Sequence, residues 1–493
     1  MATQTPAGTD LPADYKPWPA LWAMVIGFFM ILVDNTIVSV ATPAIITDLH
    51  TDYNSGIWVT SAYLLSYAVP LLITGRLGDR LGPKNVYLVG LTVFTLASLW
   101  CGLTDSIAWL ITARAVQGLG AAMMTPQTMA VITRTFPPSN RGSAMALWGA
   151  TAGVAMLVGP LLGGILVDSA GWEWIFFINI PVGVIGFALA WRLVPHLPTH
   201  AHSFDWLGVA LSAAGMFLLV FGIQEGERYD WDAWIWGTIA AGIVVIGLFL
   251  LWQSRIKREP LVPLGLFRDR NFAIGNAGIA LVSMAVTAMS LPFMFFAQGA
   301  RGWSPTESAL FMLPMALVVI ALSPLVGRLV DQVHPRSITL VGFGVATIAM
   351  ALTSWLIDYD TPAWQLLIPL ALFGVANACL WAPLSATATR NLPMASAGAG
   401  AGVYNTTRQV AAALGSAAVA ALIGSRLAAH GLQGDAQSFQ QASGRAMPPE
   451  IAERFSTAMS EAYWLPVAAF AVGIVLALFF AAPTHEGHGR GRN

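Results

Sequence analysis

Charge is scarce in this sequence. Asp, Glu, Lys and Arg make up 10% of its 493 residues, and the lysines are Lys16, Lys84 and Lys257 alone. A soluble domain of ordinary composition carries about 25% charge. With 56% hydrophobic residues, so few charges cannot cover a surface that faces water. A soluble enzyme and a disordered chain are thereby excluded. The 24 basic and 25 acidic residues nearly cancel, which leaves no basic field for nucleic acid. Cysteine is almost absent, and Cys101 and Cys379 both lie in apolar runs, so no disulfide framework is expected. The first 18 residues are polar and net acidic. They lack the basic start of a signal peptide, so the first apolar run is expected to be retained.

Recognisable enzyme chemistry is missing too. The chain has no phosphate-binding loop, zinc-protease motif or nucleophile elbow. No catalytic residue, no enzymatic activity and no cofactor are expected. His196, His200 and His202 lack the acid or thiolate company of a metal site, so no metal is expected there.

Long apolar runs are what the chain does have. About 20 apolar residues span a bilayer as a helix. Fourteen such segments can be drawn: 20–42, 56–75, 85–103, 107–133, 142–168, 174–194, 206–223, 234–253, 272–298, 306–327, 337–356, 363–388, 397–425 and 463–482. The expected class is an all-α polytopic membrane protein. Most Lys and Arg fall in loops on one side, whereas Arg228, Arg301, Arg426, Arg445 and Arg454 fall on the other. That bias places both termini on the cytoplasmic side of the cell membrane. The outer loop 426–462 is open between a short amphipathic element and a hairpin.

The sequence repeats itself. Gly75, Arg76, Leu77 and Asp79 recur as Gly327, Arg328, Leu329 and Asp331, and Pro83 recurs as Pro335. More weakly, Gly142 and Gly159 pair with Gly398 and Gly415. Two homologous halves are typical of secondary transporters. The first copy follows segment two and the second follows segment ten, so eight segments separate them. Two six-helix halves, 20–195 and 272–482, with an inserted pair at 206–253, satisfy this count. The tails 1–19 and 483–493 are expected inside the cell.

Acids in loops and at segment ends aside, Asp34 is the sole acidic residue inside a predicted span. Such a group costs roughly 2.5–3.5 kcal/mol on insertion scales and marks function by default. At 1.5 Å per residue, Asp34 and Arg114 lie about 12 Å and 10 Å from the outer ends of their segments. Their similar depth makes approach possible, and Arg114 is expected to tune the proton affinity of Asp34. In the loop 75–84, Gly75, Asp79, Arg80 and Lys84 suggest a tight turn. There Asp79 caps the following helix, pairs with an Arg of the neighbouring bundle and latches one conformation, with Asp331 as its repeat.

This loop resembles the signature loop of the major facilitator superfamily, with Pro83 in place of a usual basic residue. Residues 149–164, with Gly159, Pro160, Gly163 and Gly164, resemble the antiporter signature of that superfamily's drug exporters. Pro160 removes a helix hydrogen bond and is expected to kink the segment. Arg114, Gln117, Gly118, Gly120 and Ala121 resemble the motif to which the family assigns a part in proton coupling. Asp34, Thr36, Ala41 and Pro43 resemble the mark of the 14-helix drug:proton antiporters. The resemblance implies a major facilitator fold and proton-coupled export of drugs or other small amphipathic molecules, driven by the proton gradient. Family members usually have a basic residue in the stretch Trp172–Asn179, where this chain has Glu173.

Tyr63, Gln117, Met289, Phe293, Asn405, Arg408 and Gln409 are candidate substrate contacts, since aromatic and Met surfaces suit promiscuous apolar ligands. Arg408 also resembles a residue common in the family's thirteenth helix. Apart from Glu307 at the very edge of segment ten, no acid appears in segments nine to thirteen, so neutral, zwitterionic or monovalent substrates are expected. The expected partners are substrate, protons and bilayer, with the chain a monomer. A dedicated exporter of an endogenous metabolite or lipid and a non-transporting membrane sensor are the alternatives.

Overall fold

The computed structural model describes residues 15–51, 53–137, 140–199, 205–226, 229, 231–256, 260–303, 305–392, 396–432 and 447–481. These residues form α1 (Pro17–Asp48), α2 (Tyr53–Ala68), α3 (Leu71–Leu81), α4 (Pro83–Leu103), α5 (Ile107–Thr135), α6 (Arg141–Ala170), α7 (Trp174–Phe177) and α8 (Asn179–Leu193). Two helices follow, α9 (Trp206–Glu225) and α10 (Ala233–Arg255). The remainder are α11 (Arg270–Phe295), α12 (Pro305–Phe311), α13 (Leu313–Gln332), α14 (Pro335–Leu356), α15 (Ala363–Arg390), α16 (Ala397–Ala429), α17 (Pro449–Ala462) and α18 (Trp464–Ala477). For description, α1–α8 are the first half and α11–α18 the second.

The protein is all-helical among the described residues. Twelve of its helices are long and apolar enough to cross a bilayer, thirteen if the bent α2–α3 pair is one span. The 30-residue α6 packs among them, so fourteen segments remain compatible with the architecture.

Proline explains where the predicted spans break. The second segment is two helices bent by 47°, because Pro70 has no N–H to donate to Ser66 and its ring crowds that carbonyl. Pro181, Pro314 and Pro466 stand in the same relation to the breaks before α8, α13 and α18. In α11, Pro292 precedes a π-helical turn, Phe296–Ala300. The last span starts earlier than the expected 463. It runs from Pro449 to Ala477, so the end of the expected outer loop is the amphipathic α17.

The expected tight turn at 75–84 is also corrected. Gly75, Asp79 and Arg80 are helical in α3, and the turn is confined to Gly82 at φ +88°. Glycine adopts that left-handed conformation without steric cost.

The repeat folds as a reciprocal crossing of the two halves. A Cβ on Gly75 would lie 2.5 Å from the Gly398 carbonyl oxygen and 3.0 Å from the Gly402 Cα, so α3 and α16 meet backbone to backbone. On α13, a Cβ on Gly327 would lie 2.6 Å from the Ala146 Cβ and 3.0 Å from the Ser143 Cα of α6. Each copy of the repeated segment thus rests on the other half's glycine-rich helix. Arg141 adds a further bridge. Its guanidinium donates to the carbonyls of Thr133 (2.5 Å) and Phe136 (3.1 Å) at the end of α5, and to that of Arg390 (3.1 Å) at the end of α15.

The central pair α9–α10 is joined by Asp205. Its carboxylate accepts from Gly208 N, Trp252 Nε1 and Gln253 Nε2 at 2.8, 2.9 and 2.6 Å. α9 lies against α2 and α16.

Candidate functional site

Five helices of the first half converge on Asp34, which is fully buried. Arg114 and Gln117 are three apart on α5 and therefore share a face. The Arg114 Nη1 donates to Asp34 Oδ2 at 2.6 Å and to Gln117 Oε1 at 2.5 Å. The Arg114 Nε donates to the Val59 carbonyl of α2 at 3.0 Å. Gln117 Nε2 then donates to Asp34 Oδ1 at 2.9 Å and to Ser98 Oγ of α4 at 2.7 Å. Asn179, the first residue of α8, donates to Asp34 Oδ1 at 3.0 Å. The Tyr63 ring covers the guanidinium, with its centroid 4.2 Å from Arg114 Cζ.

A buried ion pair survives only when its remaining lone pairs and protons are hydrogen-bonded. Asp34 meets that condition with three donor side chains, one of them charged. Arg114 does not, since its Nη2 is buried without a partner among the described residues, as is the Tyr63 hydroxyl. Chemically, the cluster holds one carboxylate against a fixed cation, Arg114, and two neutral donors, Gln117 and Asn179.

The structure brings Asp34, Arg114, Gln117 and Tyr63 together in one cluster. Asn179 and Ser98 were not singled out from sequence. They carry the signal that flagged Asp34, a polar side chain inside an apolar run.

The antiporter-type segment packs against the same turn of α1. A Cβ on Gly159 would fall 1.8 Å from Thr36 Oγ1, and one on Gly163 would fall 3.0 Å from Ile37. Gly164 faces nothing within 4 Å and takes no part in this approach. α6 runs unbroken past Pro160, whose side chain lies outside the described residues.

Asp79 does not cap the following helix. Its carboxylate accepts the N–H groups of Gly398 and Ala399 at the start of α16, both at 2.9 Å, and it pairs with Arg134 of its own half. Lys84 donates instead to the Trp191 carbonyl, in the last turn of α8, at 2.6 Å. Arg80 is exposed at the end of α3. The Asp331 side chain lies outside the described residues.

Met289 and Phe293 are buried in the core of the second half. The reason is that α17 and α18 cover this stretch: the Tyr463 hydroxyl donates to the Met289 carbonyl at 3.1 Å. Asn405, Arg408 and Gln409 lie along α16. Arg408 and Gln409 are half-buried, and Arg408 reaches across to Tyr67 of the first half at 3.3 Å.

No group of three or more His, Cys, Asp or Glu among the described residues could hold a metal ion. His200 and His202 lie outside those residues. Cys101 and Cys379 are both free and buried.

A buried charged cluster within a bundle of apolar spans, joined to a second half through a repeated crossing, defines a membrane transporter. Residues 24–416 match the family model of the Major Facilitator Superfamily, and the chain belongs to that superfamily. It is 52% identical over 472 residues to an uncharacterised MFS-type transporter of Mycobacterium tuberculosis, covering 94% of this chain and 81% of that one. It is 33% identical over 417 residues to the tetracenomycin C resistance and export protein of Streptomyces glaucescens, covering 84% and 77%. The structure of the proton:xylose symporter XylE matches with a TM-score of 0.61 at 14% identity, over 94% of this chain and 95% of that one. The last likeness concerns the fold alone.

Proposed function

We propose that this protein is a proton-coupled antiporter that exports drugs or other small amphipathic molecules by alternating access. The observation that carries this reading is the Asp34 carboxylate, sealed from solvent and held by Arg114, Gln117 and Asn179. Protonation removes the charge that binds Arg114. The buried guanidinium then lacks its anion, and the helices that present the two residues must rearrange. In the cycle, a proton taken up from outside is exchanged for substrate, and proton release inside resets the carboxylate. The proton gradient is the energy source, and the chain itself performs no covalent chemistry.

Further support comes from the export function in the name of the Streptomyces relative and from the close α1–α6 packing at Gly159. The one-sided distribution of Lys and Arg supports insertion in the cytoplasmic membrane with both termini inside. The chain is proposed to act as a monomer.

The test uses proteoliposomes with an imposed pH gradient and an anionic, a neutral and a cationic member of one fluorescent dye series. Wild type is expected to move at least one dye with the gradient. Asp34→Asn is expected to lose the gradient dependence and keep exchange without a gradient. Equal gradient-driven transport by both would overturn the role of Asp34. Transport of no dye would overturn drug export in favour of a dedicated metabolite or lipid exporter.

A further inference from the structure

Arg408 is a second charge at membrane depth. It lies eleven residues into the 33-residue α16, about 17 Å from its start and about 32 Å from its end at 1.5 Å per residue, and so within a hydrocarbon layer roughly 30 Å thick. A guanidinium does not lose its proton in proteins, and a bare one at this depth costs several kcal/mol. The expected remedy is an anion, and the described residues supply none. Among the described residues no carboxylate lies within ion-pair distance of Arg408. Asp34 is committed to Arg114, Gln117 and Asn179.

The surroundings of Arg408 are short of acceptors. Its Nη2 has the Tyr67 hydroxyl at 3.3 Å, and that hydroxyl is shared with Thr125 at 3.1 Å. Its Nε is buried without a partner. Its Cζ sits 6.0 Å from the Trp148 ring of α6. The indole N–H of Trp148, itself 98% buried, is unpartnered too. Next to Trp148, Gly149 leaves room for the part-exposed Trp381 of α15, whose Cβ would lie 3.4 Å from a Cβ at that position. A fixed cation, spare donors and an aromatic wall therefore meet where the two halves face each other.

We infer that Arg408, with Trp148, binds the negatively charged group of an amphipathic substrate, a carboxylate or its equivalent, while the apolar body lies along Trp381. A guanidinium fork matches a carboxylate in shape as well as charge, whereas a substrate cation at the same place is repelled. Lipid headgroups lie at the membrane surface, outside that hydrocarbon layer, so the ligand is a small molecule. The inference rests on the export reading above and narrows its substrate class.

The test is equilibrium binding to the purified full-length chain in uncharged detergent, at one pH and without a gradient. The probes are dansylglycine, its neutral amide and a dansyl trimethylammonium analogue, followed by dansyl fluorescence. Wild type is expected to bind the carboxylate about tenfold tighter than the amide, the scale of one charge-assisted pair, and the cation weakest. Arg408→Gln is expected to abolish this preference and leave the affinity for the amide within about twofold. Arg408→Lys is expected to keep part of it. Absent saturable binding of dansylglycine, equal affinities, a preference for the cation, or a preference that survives Arg408→Gln would each overturn the inference. The wild-type ratio alone decides the matter if the variants do not fold. Asp34→Asn is expected to keep the preference, so failure of proton coupling and failure of this subsite give different results.

Discussion

Asp79 of the first half accepts the backbone N–H of Gly398 in the second half at 2.9 Å, and that of Ala399 at the same distance. A carboxylate thus caps the positive end of a 33-residue helix that belongs to the opposite half. The cap forms because Gly75 and Gly398 have no side chains to hold α3 and α16 apart.

This contact is expected to hold one side of the transporter closed. A charged hydrogen bond contributes roughly 1.5–3 kcal/mol, so Asp79→Asn shifts the closed–open balance by about tenfold or more. Gly398→Val acts more strongly, since its Cβ would meet the Gly75 carbonyl oxygen at 2.3 Å. The measurement is the maleimide labelling rate of a cysteine placed at Ser143, beside the equivalent crossing at Gly327, in a chain without Cys101 and Cys379. A faster rate in both variants is the expected outcome, and an unchanged rate in both contradicts the latch.

The Asp34–Arg114 pair is expected to be strongly non-additive. Removing one partner of a buried pair costs about 3–5 kcal/mol, because the other charge is stranded. Arg114→Met alone therefore lowers thermal stability more than Asp34→Asn together with Arg114→Met. Unfolding of the singles and the double in the same detergent checks this. Additive losses would mean that the two side chains do not stabilise one another.

Gly159 and Gly164 are expected to differ although they share one motif. Gly159→Val pushes α6 off Thr36 and the turn that carries Asp34, and transport is expected to fall at least about tenfold. Gly164→Ala enters open space and is expected to leave transport within about twofold. Gradient-driven efflux at matched expression separates the two. Equal losses would show that the motif acts through something other than packing on α1.

Much of this is legible in the sequence. Hydrophobic run length gives the spans, because lipid imposes it directly. Asp34 and Arg114 stood out because charge at membrane depth is rare, and depth arithmetic brought them level. What could not be read was pairing between distant helices. Sequence alone points Asp79 to the neighbouring helix α4, since it shows neighbours and hides the crossing of α3 with α16. Asn179 escaped because an amide looks ordinary beside charged residues, although it donates to the central carboxylate. Met289 and Phe293 looked available because sequence gives their chemistry and not the helices that cover them. Breaks in the spans are readable in principle, since Pro70 stands just before the helix that follows it and Pro181, Pro314 and Pro466 stand just inside theirs.

The reciprocal crossing carries an implication about ancestry. Gly75 rests on Gly398, and Gly327 rests on the helix that begins at Arg141 just before Gly142, so each half offers both a knob and a seat. Two identical halves could meet through the same contact twice, as the subunits of a two-fold symmetric dimer do. Fusion of such a pair into one chain would preserve the joint and free the copies to diverge. In this chain the carboxylate at Asp34 and the cation at Arg408 stand on opposite sides of that inherited joint.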